Sequence, residues 1–236
     1  MNRKPFKFKQ FDIFQDKTAM KVGTDGVLLG SWTSIYNGKR ILDIGTGTGL
    51  VALMLAQRFS EVEIDAIEID KSAYLQASEN FENSIFKERL NIYNTPIQDY
   101  NSIKKYDLVV SNPPFFNVND LVDFDTRKQA RQQTTLTFAE LLNKTACLLS
   151  ENGFASFIIP YDQREIFVDI ALKNSLHLSK ILYIRGNQNS LLKRVLLEFS
   201  FITKEKIEES ELIIEIDRHQ YTDDYINLTK DFYLKM

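Results

Sequence analysis

Residues 40–58 place a loop with three alternate glycines between a short apolar strand and a helix. The strand is Arg40–Ile44, the loop is Gly45-Thr46-Gly47-Thr48-Gly49, and the helix begins at Leu50. Glycines let the backbone turn tightly and allow a ligand to approach it closely. The spacing is G-x-G-x-G rather than the G-x-G-x-x-G of dinucleotide dehydrogenases. Asp43, at the strand end, suits a ligand with a cationic or amino group, although a purely structural glycine turn also explains the motif.

Strands and helices alternate along the rest of the chain, which predicts a parallel, doubly wound α/β sheet. The predicted strands are 40–44, 62–69, 90–94, 106–111, 154–159, 178–184 and 195–202, with a candidate edge strand at 212–216. The predicted helices are 50–58, one capped by Asp70 and running to about Phe81, one running from a capping box at Thr137–Glu140 to near Gly153, and one from about 162 to 172. Residues 6–9 alternate with period two and predict a short strand or hairpin. Thr24 or Asp25 is the predicted cap of a further helix.

Composition narrows the class of protein. Of 236 residues, 44% are apolar and 26% are charged, which excludes a mostly disordered chain. One cysteine and two histidines leave little material for a disulfide or a metal centre, so we expect a cytoplasmic protein without a metal. No apolar run approaches the ~20 residues of a membrane span. A net charge of −3 argues against a surface that is basic throughout, while leaving room for a local basic patch.

A second acid stands at the end of the second predicted strand. Glu68 follows Asp43 by 25 positions. Doubly wound folds place an acid there to hydrogen-bond a ribose diol. The alternative is a solvated carboxylate at a strand end.

The third motif is Asn112-Pro113-Pro114-Phe115, where the strand 106–111 ends. Two prolines remove two backbone donors and fix the chain, so a rigid turn presents the Asn112 side-chain oxygen and the Pro113 carbonyl as acceptors. Phe115 adds a flat apolar face. Two acceptors beside an aromatic ring suit a planar substrate with an exocyclic NH₂ group. A rigid loop that only closes the strand is the alternative.

Together, residues 43–49, Glu68 and the turn 112–115 resemble class I methyltransferases that use S-adenosylmethionine. The Asn-Pro-Pro-Phe turn resembles that of enzymes that methylate amino nitrogens of adenine, guanine or glutamine. The segments 6–11, 15–16, 20–30 and 231–234 resemble one subfamily closely, the bacterial tRNA(Val) (adenine-37-N6)-methyltransferases. The resemblance covers almost the whole chain. It implies a Rossmann-like class I methyltransferase domain with a seven-stranded, mostly parallel sheet and helices on both faces.

The resemblance also assigns roles to residues of this chain. Residues 1–30 would be an N-terminal extension with a cofactor-closing loop, and residues 31–236 the methyltransferase domain. The implied contacts of S-adenosylmethionine are Lys21, Thr24, Asp43, Gly45, Gly47, Gly49, Glu68 and Asn112. The implied catalytic residues, which hold the target base, are Asn112, Pro113, Pro114 and Phe115. The expected partner is tRNA, bound by a monomer without a metal ion or a membrane.

One position departs from the resemblance. Class I enzymes usually carry an acid after the third strand that contacts the adenine amine of the cofactor. Pro96 stands at that position here. Either a backbone group or Asp99 would then take over the contact.

Phosphate contacts with RNA would come from three basic clusters. They are Arg3, Lys4, Lys7 and Lys9 at the N-terminus, Arg127, Lys128 and Arg131 after the Asn-Pro-Pro-Phe turn, and Arg185, Lys193 and Arg194 near the late strands. The cluster after the turn is favoured because it lies closest in sequence to the proposed base pocket, although three aspartates dilute its field. An ordinary solvated surface is the alternative for each.

The sequence therefore predicts an adenine-N6 methyltransferase of tRNA. A guanine-N2 rRNA methyltransferase and a glutamine-N5 protein methyltransferase share the turn, and they usually carry a second domain for which this chain has little room. A non-catalytic binding module would be expected to show a damaged turn. A nicotinamide oxidoreductase would need the other glycine spacing.

Overall fold

Strands and helices alternate in the computed structural model, which describes residues 4–18, 20–36, 38–114 and 136–236. The strands are β1 (Phe6–Lys7), β2 (Asp12–Ile13), β3 (Arg40–Ile44), β4 (Glu63–Glu68), β5 (Leu90–Asn94), β6 (Tyr106–Ser111), β7 (Leu149–Pro160), β8 (His177–Asn187), β9 (Leu192–Ser200), β10 (Glu208–Asp217) and β11 (Gln220–Tyr221). The helices are α1 (Thr24–Trp32), α2 (Leu50–Arg58), α3 (Lys71–Glu82), α4 (Phe138–Leu148), α5 (Arg164–Lys173) and α6 (Asp223–Thr229).

Nine of the described strands form one sheet in the order β11-β10-β8-β9-β7-β6-β3-β4-β5. The neighbours from β7 through β6, β3 and β4 to β5 are parallel, whereas β9 is antiparallel to both β7 and β8. The predicted fold class is confirmed, and all seven predicted strands are present. The implied number of seven strands was wrong, because β10, which contains the candidate edge strand at 212–216, and β11 extend the sheet beyond β8.

The order of the strands reverses beside β3. The chain proceeds from β3 to β4 and β5 on one side, and then returns to lay down β6 on the other side. Ligands of open α/β sheets bind at such a switch point, outside the carboxyl ends of the strands. Ile44 pairs with Ile67 of β4 and with Ser111 of β6, so the segments after these three strands emerge side by side.

Helices cover both faces of the sheet. Neighbouring residues of one strand, such as Ile41 and Leu42 of β3, belong to two different apolar clusters because strand side chains alternate between faces. One cluster includes residues of α1, α2, α3 and α6, and the other includes residues of α4 and α5. None of the described helices combines the length and the apolarity that crossing a membrane requires.

Two predicted helix caps are confirmed and one is wrong. The Asp70 side chain accepts a hydrogen bond from Ala73 N at 2.7 Å, and the capping box at Thr137–Glu140 is complete. Helix α1 begins after Gly23 without a side-chain cap. The Asp25 carboxylate instead accepts from Arg194 Nε at 2.8 Å, because a guanidinium from β9 lies within reach.

A short hairpin of β1 and β2 joins the N-terminal segment to residues near position 233. Phe8 forms an isolated antiparallel bridge with Tyr233, and Lys9 N donates to Phe232 O at 2.8 Å. The Lys9 ammonium donates to the carbonyl oxygens of Lys230 at 2.5 Å and Met236 at 3.3 Å. The predicted hairpin is present.

Candidate functional site

The glycine loop between β3 and α2 has a backbone that side chains would strain. Gly45, Gly47 and Gly49 have φ values of +70°, +59° and +83°. The nitrogens of Gly45 and Thr46 donate to Ile67 O at 2.9 and 3.1 Å, which fixes the loop against the end of β4. All three positions therefore require glycine for a left-handed backbone conformation that other residues rarely adopt.

The loop faces open space at two of its three glycines. A Cβ atom built on Gly45 or Gly47 would meet nothing within 4 Å. A Cβ on Gly49 would lie 2.5 Å from Cε1 of the Phe81 ring, because α3 packs there. The first two glycines thus leave room for a ligand against the backbone, and the third leaves room for a helix.

Asp43 lies below this loop with its side chain almost fully buried. Thr46 Oγ1 donates to Asp43 Oδ2 at 2.6 Å. The pKa of Asp43 is raised to about 7, chiefly by burial and also by the nearby Glu68, against the hydrogen bonds from Thr46 and Ala52, which lower it. A buried carboxylate without a cationic partner among the described residues is suited to an amino group of a ligand.

Glu68 ends β4 with both carboxylate oxygens occupied by backbone donors. Gly47 N donates to Oε2 and Asp70 N donates to Oε1, each at 2.9 Å. The side chain is buried and belongs to the same rim of the sheet as the glycine loop. Carboxylate oxygens can accept more than one hydrogen bond each, so ribose hydroxyls can still be accommodated.

The turn after β6 stands beside the end of β3. Ser111 Oγ donates to Ile44 O at 2.8 Å, which holds the two strand ends together. Asn112 is half-buried, Pro113 is buried and Pro114 is exposed. Asn112 Oδ1 is buried, and none of the described residues donates a hydrogen bond to it. Phe115 lies outside the described residues.

An orphaned acceptor is informative because a buried polar atom without a partner is destabilising by roughly 1–3 kcal/mol. Native structures rarely keep such an atom without a reason. Asn112 Oδ1 lies at the rim where the sheet binds ligands, so a donor on a bound molecule is the natural partner.

Lys21 and Thr24 lie in and just after the loop that leads into α1. The Lys21 ammonium donates to the carbonyl oxygens of Gln15 and, at 3.0 Å, Thr18. Thr24 is exposed at the first position of α1. Both contacts with the cofactor stay predictions.

The basic clusters fall into three different situations. Arg127, Lys128 and Arg131 lie outside the described residues. Lys7 is exposed, 4.0 Å from the Asp12 carboxylate, and the Lys9 ammonium is bonded to two backbone carbonyl oxygens. In the third cluster, Arg185 pairs with Glu211 at 2.7 Å and Arg194 pairs with Asp25.

The structure after β5 does not test which group contacts the adenine of the cofactor. Pro96 O accepts from Asp99 N at 3.2 Å in a tight turn. Asp99 is exposed and lines a cavity of about 890 Å³ together with Tyr93, Asn94 and Tyr100. The contact of Asp99 with the cofactor adenine stays a prediction.

Sequence reasoning missed Asn80. This residue of α3 is almost fully buried and donates to Thr48 O of the glycine loop at 2.8 Å. A buried asparagine inside an otherwise amphipathic helix was the signal in the sequence, because such an amide needs hydrogen-bonding partners.

The site fits S-adenosylmethionine on three structural observations. Two glycines with positive φ face open space, a buried carboxylate lies beneath them, and an orphaned acceptor stands at the neighbouring strand end. Asp43 and the glycines would hold the methionine part and Glu68 the ribose. Among the described residues, no group of three or more metal-binding side chains occurs.

Comparisons with known proteins point to methyltransferases. The family model "Methyltransferase small domain" matches residues 23–160. A tRNA1(Val) (adenine(37)-N6)-methyltransferase from Flavobacterium psychrophilum is 52% identical over 98% of this chain and 100% of that protein. A protein of the same name from Flavobacterium johnsoniae is 49% identical over the same shares. The crystal structure of a predicted O-methyltransferase from Agrobacterium tumefaciens matches with a TM-score of 0.67 at 17% identity, covering 88% of this chain and 96% of that one. That last likeness concerns the fold alone.

Proposed function

This chain belongs to the family of tRNA1(Val) (adenine(37)-N6)-methyltransferases, and from that premise we propose which of its residues perform the reaction. The chain is an S-adenosylmethionine-dependent methyltransferase that modifies N6 of adenine 37 in a valine tRNA. The observation that carries the assignment of the site is the buried Oδ1 of Asn112, at the strand end next to the glycine loop, which has no hydrogen-bond partner among the described residues.

Asn112 and Pro113 act on the nitrogen that receives the methyl group. The exocyclic nitrogen of adenine is a poor nucleophile because its lone pair is delocalised into the ring. Asn112 Oδ1 and the Pro113 carbonyl accept hydrogen bonds from the two N6 protons. Both acceptors favour a pyramidal nitrogen and meet the positive charge that develops on it.

S-adenosylmethionine supplies, when bound, a methyl group on a sulfonium centre that is already electrophilic. The residues of the chain therefore contribute mainly position and orientation. Pro113 and Pro114 fix the acceptor turn, and Phe115 provides the face on which the adenine ring stacks.

The tRNA must present adenine 37 outside its stack. Bases of an anticodon loop are single-stranded, so turning one outward requires less energy than in a duplex. Lys7 and Lys9, with Arg127, Lys128 and Arg131, are the proposed phosphate contacts. A tRNA substrate also favours a cytoplasmic location for the protein. We propose that the protein acts as a monomer.

Residues 1–30 serve in this proposal as an extension that completes the cofactor site. The family model begins at residue 23, so the preceding segment lies outside the part shared with the wider family. In the structure this segment folds against α3 through Phe14 and Lys17. Lys21 and Thr24 stand where this segment meets α1, and the loop between them closes over the cofactor.

Product analysis tests the function. Labelled S-adenosylmethionine is supplied with unmodified tRNA, with rRNA or with release factor, and the labelled product is identified. We expect N6-methyladenosine from tRNA only. Label in rRNA guanine or in protein glutamine would contradict the substrate.

A pair of asparagine variants tests the site. Asn112→Ala should reduce the methylation rate by about a hundredfold or more, the scale of losing one preorganised hydrogen-bonding group. Asn143→Ala is the matched control, because Asn143 is exposed on α4 and its side chain bonds that of Asn174 within the part of the chain that the structure describes. Equal rates for both variants would remove Asn112 from the catalytic set.

A further inference from the structure

Asn80 uses its whole side-chain amide to join two distant segments. Its Nδ2 donates to Phe14 O at 2.9 Å and to Thr48 O at 2.8 Å, and its Oδ1 accepts from Phe14 N at 2.9 Å. Two backbone carbonyl oxygens as acceptors and one N–H as donor fix the orientation of the amide. The side chain is 1% exposed, so these bonds form away from competing water.

One of the two segments is the glycine loop itself. Thr48 lies between Gly47 and Gly49, which both have positive φ. Gly47 N is bonded to the Glu68 carboxylate at 2.9 Å. Asn80 and Glu68 therefore hold the loop at neighbouring residues, from α3 on one side and from β4 on the other.

The other segment consists of residues 14–18 and 20–22, which we call the N-terminal clasp. Gln76, Glu79 and Asn80 share one face of α3, since helical neighbours lie three and four positions apart. Gln76 Oε1 accepts from Lys17 N at 2.9 Å, and Glu79 pairs with the Lys17 ammonium at 2.6 Å.

The clasp is also closed on itself. Val22 N donates to Gln15 Oε1 at 2.7 Å, and the Lys21 ammonium donates to Gln15 O and Thr18 O. The segment that carries Lys21 is thus a closed loop anchored on α3, beside the Gly45–Gly49 backbone.

We propose that Asn80 is a positioning residue for cofactor binding, because it sets the Thr48 carbonyl of the glycine loop and the backbone of the clasp at a fixed distance from each other. This inference rests on the proposed function insofar as the glycine loop holds S-adenosylmethionine. Asn80 does not touch the reacting atoms, and its effect passes through the backbone of residues 47–49.

Gln76 supplies the matched control. It stands one turn before Asn80, is equally buried and bonds the same clasp. Its hydrogen bonds go to Lys17 and Glu79 rather than to the glycine loop. A merely structural role predicts equal effects of Asn80→Ala and Gln76→Ala on cofactor affinity.

The experiment measures binding of S-adenosylhomocysteine by calorimetry to the wild type and both variants, with urea unfolding of each. Asn80→Ala should weaken binding at least tenfold and several times more than Gln76→Ala does, even though both variants lose stability, because only Asn80 bonds the clasp and the glycine loop together. In steady state, Asn80→Ala should raise KM for S-adenosylmethionine and leave kcat and KM for tRNA within about threefold. Equal affinities for the two variants would overturn the proposal.

A second variant and one wild-type measurement guard against misfolding. Asn80→Asp keeps the volume and the acceptor for Phe14 N but loses both donors, so it should weaken binding as Asn80→Ala does. In the wild type, S-adenosylhomocysteine should slow hydrogen exchange of the Phe14 and Lys17 amides. Unchanged exchange at both amides would also refute the coupling. A wild type that binds no S-adenosylhomocysteine would contradict the proposed function instead.

Discussion

At the scale of a single residue, Asp43 has a buried carboxyl group that accepts a hydrogen bond from the Thr46 hydroxyl. Burial raises its pKa from 3.8 to about 7. Between these values the folded state keeps a proton that the unfolded chain has released, so this group makes the fold less stable as the pH rises through that range. Above pH 7 the ionised group is available to an ammonium group of the cofactor.

Cofactor affinity should therefore depend on pH through Asp43. From about pH 5.5 to pH 7, binding of S-adenosylhomocysteine should strengthen by roughly tenfold, because the ionised fraction of Asp43 grows while a free α-amino group stays protonated. Calorimetry across this range measures the slope. Asp43→Asn should flatten it, and an unchanged slope in that variant would assign the dependence to another group.

At the scale of an element, glycines of the same loop serve two different purposes: Gly49 leaves room for the Phe81 ring of α3, and Gly45 leaves room for a ligand. Gly49→Ala places a Cβ 2.5 Å from the Phe81 ring at a φ of +83°. The strain and the clash together should lower the free energy of unfolding by about 2–4 kcal/mol. Urea denaturation followed by circular dichroism measures this loss.

Gly45→Ala is the contrasting change within the same loop. Its Cβ meets nothing within 4 Å, so only the positive φ is unfavourable, by about 1 kcal/mol. Its methyl group would occupy the space in which we propose that the cofactor approaches the backbone, so cofactor affinity should fall although stability is nearly kept. A Gly45→Ala protein with wild-type affinity would show that the cofactor lies elsewhere.

The sequence predicted those elements whose signals are local. Three alternate glycines after an apolar strand are typical of a tight loop that leads into a helix. Asp70 and Thr137 cap helices by bonding residues only three positions later. The Asn-Pro-Pro turn could be placed because it directly follows an apolar strand.

Contacts between distant parts of the chain could not be predicted. Asn80 bonds backbone atoms 66 and 32 positions away, and the partner of Asp25 lies 169 positions away, so the sequence does not show which atoms these side chains bond. Only the second half of strand β10 was predicted, because its first residues include Glu208, Glu209 and Glu211 and lack an apolar pattern. These residues pair with β8, which no local pattern indicates.

At the scale of the whole molecule, the β1–β2 hairpin binds the region around Tyr233. Phe8 is 3% exposed and stacks with Phe11 at 4.8 Å and Tyr233 at 5.8 Å between ring centroids. Phe6, two positions earlier, is 36% exposed. The hairpin is therefore part of the core through Phe8, together with Phe11 and Ile13, and part of the surface through Phe6.

Two phenylalanine variants measure this attachment. Phe8→Ala should lower the free energy of unfolding by about 3–5 kcal/mol, the range for a buried phenylalanine. Phe6→Ala should lower it by less than about 1 kcal/mol, because much of that side chain is already in water. Comparable losses in the two variants would mean that the burial of the Phe8 ring is not what attaches the hairpin.

The hydrogen bond from the Lys9 ammonium to the Lys230 carbonyl oxygen joins two parts of the chain that a ribosome makes at very different times. The two residues are separated by 221 positions, and synthesis proceeds at about 5–20 residues per second. Phe8 therefore leaves the ribosome many seconds before Tyr233, the distant ring on which it stacks, has been made. We therefore expect a chain interrupted before residue 230 to leave more of the Phe8 ring in water than the finished protein does, because Tyr233 is missing from it.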